Sequence, residues 1–119
     1  MKVEYDDVTN VATLVPDGRL SKEDFTDASS QLDPVIEEKG KLAGLVICSQ
    51  SFPGWESLGA MIQHLRFVHD HHRKVARVAL VTDSSLGDIA EKVGRHFVAA
   101  QVRHFDYDDL PSARDWLIS

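Results

Sequence analysis

Two segments near the start of the chain have the apolar spacing that is typical of β-strands. In residues 2–6, Val3 and Tyr5 alternate with charged residues, which is a period of two. Residues 11–15 are mostly β-branched or aliphatic, and a Pro-Asp-Gly turn sequence follows them. Because only a short turn-like stretch, residues 6–10, leads from one segment to the other, we predict an antiparallel hairpin.

Three further strands are predicted as longer apolar runs with helical patterns between them. Leu42–Cys48 and residues 75–81 suit strands that are covered on both faces, and residues 101–105 form a last short strand. The predicted order is β-β-α-β-α-β-α-β-α, in a single α/β domain spanning residues 1–119. This order indicates a mixed, mostly parallel sheet flanked by helices, with an antiparallel strand at one edge.

The first and last predicted helices have recognisable ends. Ser21 is placed to cap the N-terminus of the first helix, and Gly40 is placed to end it. Pro34 lacks a backbone N–H, so we expect a kink or a break near Asp33. The last helix is expected to open at Asp108-Asp109, with a proline in its first turn.

Composition and charge exclude several classes of protein. The 119 residues are 43% hydrophobic and 27% charged, which is a globular composition. A net charge of −6 argues against nucleic-acid binding, which requires Lys and Arg against phosphates. Cys48 is the only cysteine, so no disulfide forms within the chain, and we expect it to be buried. The sequence has neither the apolar start of a secretion signal nor a run long enough to span a membrane, so we expect a cytoplasmic protein.

The main candidate site follows the strand Leu42–Cys48, in residues 49–55. Open α/β sheets bind ligands at the carboxyl ends of their parallel strands, and aromatic walls with a few polar groups suit a small molecule. The competing interpretation is that Phe52 and Trp55 only close the end of the core. The candidate pocket consists of Ser49, Gln50, Ser51, Phe52, Trp55, Leu58 and Ile62.

Two weaker candidate sites are also predicted. Ser84 and Ser85 lie between a strand and a helix, where backbone N–H groups can hold an anion, with simple helix capping as the competing explanation. Residues 64–77 carry four basic and one acidic side chain and could meet an anionic lipid or an acidic partner, more strongly as the pH falls. This candidate interaction patch consists of Arg66, His69, His72, Arg73 and Lys74.

Catalytic and cofactor-binding motifs are lacking in the sequence. It contains no Gly-x-Ser-x-Gly elbow, no P-loop and no Gly-x-Gly-x-x-Gly. His69 and His72 have a metal-ligand spacing, but a solvated helix end explains them better. We therefore expect no enzyme activity, no cofactor and no metal site.

Five stretches, in their order and spacing, resemble the SpoIIAA-like family of small bacterial proteins, whose fold is related to STAS domains. The stretches are residues 18–25, 52–55, 77–83, 102–106 and 113–117. The resemblance implies a mixed sheet flanked by helices. A further likeness of that fold to lipid-carrying CRAL-TRIO domains implies an apolar ligand or a membrane-related role.

STAS regulators are switched by phosphorylation of a Ser within Asp-Ser-Ser-Gly after the third strand. Residues 48–52 of this chain read Cys-Ser-Gln-Ser-Phe and lack both the Asp and the Gly. Asp83-Ser84-Ser85 is similar but follows the fourth predicted strand, so we do not expect the switch.

We therefore predict a non-catalytic binding domain for an apolar or amphipathic, lipid-like small molecule, and a role at a membrane surface is left open. The alternative is a STAS-like module that binds a protein partner, and a homodimer is left open. The local positive charge near residues 64–77 fits either a headgroup or an acidic partner.

Overall fold

The computed structural model describes residues 2–16, 22–50, 75–83 and 101–119. Alternating and apolar runs of the sequence form five strands, and two helices accompany them. The elements are β1 (Lys2–Asp6), β2 (Val11–Val15), α1 (Lys22–Lys39), β3 (Leu42–Cys48), β4 (Val75–Val81), β5 (Gln101–Phe105) and α2 (Leu110–Ile118).

The strands form one mixed sheet in the order β1-β2-β3-β4-β5. β1 pairs antiparallel with β2, whereas β2, β3, β4 and β5 are parallel to their neighbours. This confirms the predicted α/β class with an antiparallel edge strand. The helices predicted between β3 and β4 and between β4 and β5 lie outside the described residues.

The β1–β2 hairpin is closed by side chains of its own turn. Asp6 accepts hydrogen bonds from the backbone N–H groups of Val8, at 2.9 Å, and Thr9, at 3.4 Å. Asn10 adopts a positive φ of 58°, a conformation that Asn tolerates better than most residues. The hairpin prediction is therefore confirmed.

Helix α1 is continuous through Pro34, so of the predicted kink or break near Asp33, the break is wrong. Leu32 and Ile36, on either side of the proline, are fully buried, and their packing outweighs the loss of one backbone hydrogen bond. Gly40 ends the helix as predicted: it has φ 82°, and its N–H donates to the Ile36 carbonyl at 2.7 Å.

Helix α2 packs on one face of the sheet, called here the α2 face. It begins at Leu110, directly after Asp109, with a proline in its first turn, as predicted. The core between α2 and the sheet consists of Val11, Val46, Cys48, Ala79, Val81, Phe105, Ala113 and Leu117. The buried residues of α1 are not part of that cluster, and the right-handed crossover rule places α1 on the opposite face.

Arg77 fixes the C-terminal end of α2 to strand β4. Its Nη1 donates hydrogen bonds to the Trp116 carbonyl, to Ser119 Oγ at 2.8 Å and to the Ser119 carbonyl at 3.3 Å. Its guanidinium also stacks over the Trp116 ring, 5.3 Å from the ring centroid. A cation at this end is favoured by the helix dipole, so one side chain sets the position of α2 on the sheet.

Candidate functional site

Most of the site residues predicted from sequence lie outside the described residues. Ser49 and Gln50 are described, whereas the rest of the candidate pocket, the Ser84-Ser85 anion site and the candidate interaction patch are not. The undescribed candidates are Ser51, Phe52, Trp55, Leu58, Ile62, Ser84, Ser85, Arg66, His69, His72, Arg73 and Lys74.

Ser49 and Gln50 lie at the carboxyl ends of the parallel strands, where the sequence placed them. The Ser49 N–H donates to the Val81 carbonyl at 3.0 Å. The Gln50 carbonyl accepts hydrogen bonds from the Asp83 N–H at 3.3 Å and from Thr82 Oγ1 at 3.4 Å. The backbone of these two residues therefore extends the pairing of β3 with β4 beyond the strands.

The neighbouring strand β5 is tied to the same edge of the sheet. The Thr82 N–H donates to the Phe105 carbonyl at 3.1 Å, and His104 Nε2 lies 3.0 Å from the Thr82 carbonyl. The Tyr107 N–H donates to Asp83 Oδ1 at 3.3 Å. The described part of this edge is a rim of backbone groups and a few side chains that hydrogen-bond to one another.

A groove lies elsewhere, between the β1–β2 hairpin and α2. It has a volume of about 530 Å³ and is called here the α2 groove. Val11 is almost fully buried in it, whereas Ile118, at the end of α2, is 57% exposed. The described residues that line it are Glu4, Tyr5, Asp6, Thr9, Val11, Thr13, Arg114 and Ile118.

The α2 groove exists because α2 covers only part of the sheet. Helix α2 contacts β3, β4 and β5. A helix about 10 Å wide spans two or three strands spaced about 4.8 Å apart, and this sheet has five. Strand pairing places Glu4 beside Thr13, and Asp6 beside Val11, at the margin of the α2 face, where Val11 and Thr13 are each 6% exposed.

Two carboxylates of the α2 groove already have partners. Glu4 forms an ion pair with Lys2 at 2.9 Å, and the hydrogen bond and charge of Lys2 lower the pKa of Glu4, with a smaller contribution from Arg114. Asp6 accepts the two backbone hydrogen bonds of the hairpin turn. Within the described part of the chain, the Arg114 guanidinium makes no hydrogen bond or ion pair, so the groove has one cation with donors to spare.

A second groove lies next to the first, and Ile118 lines both. It has a volume of about 490 Å³, and it shares Thr9 and Ile118 with the α2 groove. Val8, which lines it, is 94% exposed. Two large exposed aliphatic side chains, Ile118 and Val8, therefore line neighbouring grooves.

Cys48 also lies on the α2 face, buried in the core as predicted. Burial raises the pKa of its thiol, and the charge of Arg114 opposes that effect only in part. The thiol therefore stays protonated near neutral pH, which is the state of a packing residue and not that of a nucleophile.

Sequence reasoning missed the α2 groove because its walls come from opposite ends of the chain. Two signals pointed toward it. The outward positions of β1 are charged, and Ile118 is an apolar residue at the last position of a helix of only 9 residues. Neither signal shows which strands α2 leaves uncovered.

The described elements define an α/β domain in which two helices accompany a five-stranded mixed sheet. The SpoIIAA-like family model matches residues 11–118, and this chain belongs to that family. The matched region includes Arg114 and Ile118 of the α2 groove and begins after β1.

The chain is also similar in structure to an uncharacterised protein of the DUF3478 family, with a SpoIIAA-like fold, from Shewanella loihica PV-4. The TM-score is 0.62 at 20% identity, over 98% of this chain and 90% of that one. At this identity the likeness shows the fold alone. None of the curated proteins compared with the chain matches it. Within the described ranges, neither helix is long and apolar enough to cross a membrane.

Proposed function

We propose that this chain is a non-catalytic binding domain and that the α2 groove holds a small amphipathic molecule. The observation that carries the proposal is the groove itself, about 530 Å³ in volume, which is lined by the aliphatic Val11 and Ile118 together with polar and charged residues. Pockets for small molecules are usually about 300–1,000 Å³ and combine apolar lining with a few oriented polar groups.

The apolar part of the groove supports a ligand with an apolar portion. Ile118 is 57% exposed at the end of α2, although Leu117 beside it is buried against the sheet. Covering the exposed part of Ile118 removes apolar surface from water, which contributes about 25 cal/mol per Å². The polar part of the lining, which includes the partly exposed Thr9, supplies a hydroxyl group for a less apolar portion.

Binding of a neutral fluorescent amphiphile, Nile red, tests the proposal. We expect saturable binding by the wild type. In the variant Ile118→Ser we expect binding to be weaker by about fivefold, because roughly 1 kcal/mol of apolar contact is lost. Tyr107→Ser is the matched control, since Tyr107 is also exposed but lies beyond β5 and away from the groove.

A second variant guards against misfolding as the cause of any loss. Thr13→Phe fills the groove from strand β2, and it should abolish Nile red binding while urea unfolding stays cooperative. The proposal is overturned if the wild type shows no saturable binding, or if both groove variants bind like the wild type. Native mass spectrometry of the protein from its own host would then distinguish a protein partner, the alternative predicted from sequence, from a small bound mass.

A further inference from the structure

We propose that the α2 groove selects an amphiphile with an acidic head group, which pairs with Arg114, and that the apolar chain of the ligand crosses Ile118 toward Val8. This inference rests on the proposed function, and it adds the chemical class and the orientation of the ligand.

Among the described residues that line it, the groove has one cation, Arg114, that is available to pair with an acidic head group. The Glu4 carboxylate is held by Lys2 at 2.9 Å, and the Asp6 carboxylate accepts backbone hydrogen bonds from Val8 and Thr9. Arg114 has no such partner among the described residues. The contacts of the two carboxylates involve Glu4 Oε1 and Asp6 Oδ1 and offset part of the negative charge that would repel an acidic group, whereas the donors of Arg114 have no hydrogen-bond or ion-pair partner in the described residues.

The guanidinium suits a carboxylate in particular. Arg presents its N–H donors in a planar fork that matches the two oxygens of a carboxylate, and such charge-assisted bonds are about twice as strong as neutral ones. Arg114 lies on the exposed side of α2, one turn before Ile118. A head group bound to it therefore leaves the chain of the ligand beside Ile118.

The second groove offers that chain a neighbouring surface beyond Ile118. It shares Thr9 and Ile118 with the α2 groove, and Val8 lines it with 94% of its surface exposed. The chain would cover Ile118 first and Val8 afterwards. A long chain should reach Val8, and a short one should not.

The head group is tested by displacing Nile red with matched ligands at pH 7.5. We expect dodecanoate to bind the wild type roughly tenfold more tightly than dodecanol, as one charge-assisted interaction of about 1.5 kcal/mol gives. Arg114→Gln should remove that preference and keep the affinity for dodecanol. Arg103→Gln is the matched control, because Arg103 lies over the Phe105 ring on β5.

Equal binding of dodecanoate and dodecanol by the wild type, or an unchanged preference in Arg114→Gln, overturns the inference and leaves the proposed function standing. If neither ligand displaces Nile red and Nile red itself does not bind, the proposed function fails as well. The path of the chain is tested with Val8→Ser, which should weaken dodecanoate several-fold and leave octanoate unchanged. If Val8→Ser weakens the binding of dodecanoate and octanoate equally, the proposed path of the ligand's apolar chain is wrong.

The source of the acidic group is tested with vesicles of phosphatidylcholine, with or without phosphatidylglycerol. We expect dodecanoate in solution to bind the wild type whether or not vesicles are present. If Arg114 is instead required for sedimentation with the phosphatidylglycerol vesicles, and dodecanoate fails to bind, the partner is an anionic membrane surface and the inference is wrong.

Discussion

Gly44, in the centre of the sheet, lets α2 approach strand β3. A Cβ atom at this position would lie 2.7 Å from Leu117 Cδ2 and 3.1 Å from Leu117 Cβ. We predict that Gly44→Ala destabilises the protein by about 1–3 kcal/mol, because α2 would have to move outward. Urea unfolding measures the change.

The variant Leu117→Ala provides the control for that explanation. Alone it should lower the free energy of unfolding by about 2–5 kcal/mol, because it leaves a cavity. In the Gly44→Ala background the loss should be smaller, since the added methyl group fills part of that cavity. If the two changes are additive, the close contact of Gly44 with Leu117 does not limit the approach of α2.

At the scale of elements, α2 is held by its C-terminal end as well as by its apolar face. We predict that Arg77→Met, which keeps an apolar stem, destabilises the protein by about 1–2 kcal/mol, because the bonds to Trp116 and Ser119 are lost. Hydrogen exchange should accelerate in α2 more than in α1. Arg77→Lys keeps the charge without the planar fork, so its stability should lie between that of the wild type and that of Arg77→Met. Equal acceleration in both helices would contradict the prediction.

The strands and the first helix could be predicted because local sequence determines them. The unbroken run Leu42–Cys48 and the alternation in β1 each correspond to one strand. A break at Pro34 does not occur because the burial of Leu32 and Ile36 depends on tertiary packing, which local propensity does not contain.

The α2 groove could not be predicted from the sequence because it, too, depends on tertiary arrangement. Glu4 and Arg114 are brought together only when the order of strands and the footprint of α2 are known. The residues proposed from sequence followed the rule that ligands bind at the carboxyl ends of strands, and the two that are described, Ser49 and Gln50, lie there. The groove instead occupies the face that a 9-residue helix is too small to cover.

For the molecule as a whole, the first hairpin must be joined firmly to the parallel strands, because it forms one wall of the groove. Asn10 makes that connection. Its Oδ1 accepts from the Tyr5 hydroxyl at 2.7 Å, and its Nδ2 donates to the Lys41 carbonyl at 2.7 Å. Its own carbonyl accepts from the Ala43 N–H at 2.9 Å. Asn10 thus links the hairpin to the start of β3 through its side-chain and backbone hydrogen bonds.

Two substitutions of Asn10 separate its side chain from its backbone. Asn10→Gly keeps the φ of 58° accessible and removes only the side-chain bonds, so we predict a loss of about 1–2 kcal/mol in urea unfolding. Asn10→Ala also strains the backbone and should cost about 1 kcal/mol more. Both should weaken Nile red binding, because Tyr5 and Thr9 line the groove on either side of the connection. Unchanged binding in the destabilised variants would show that the groove keeps its shape without this connection.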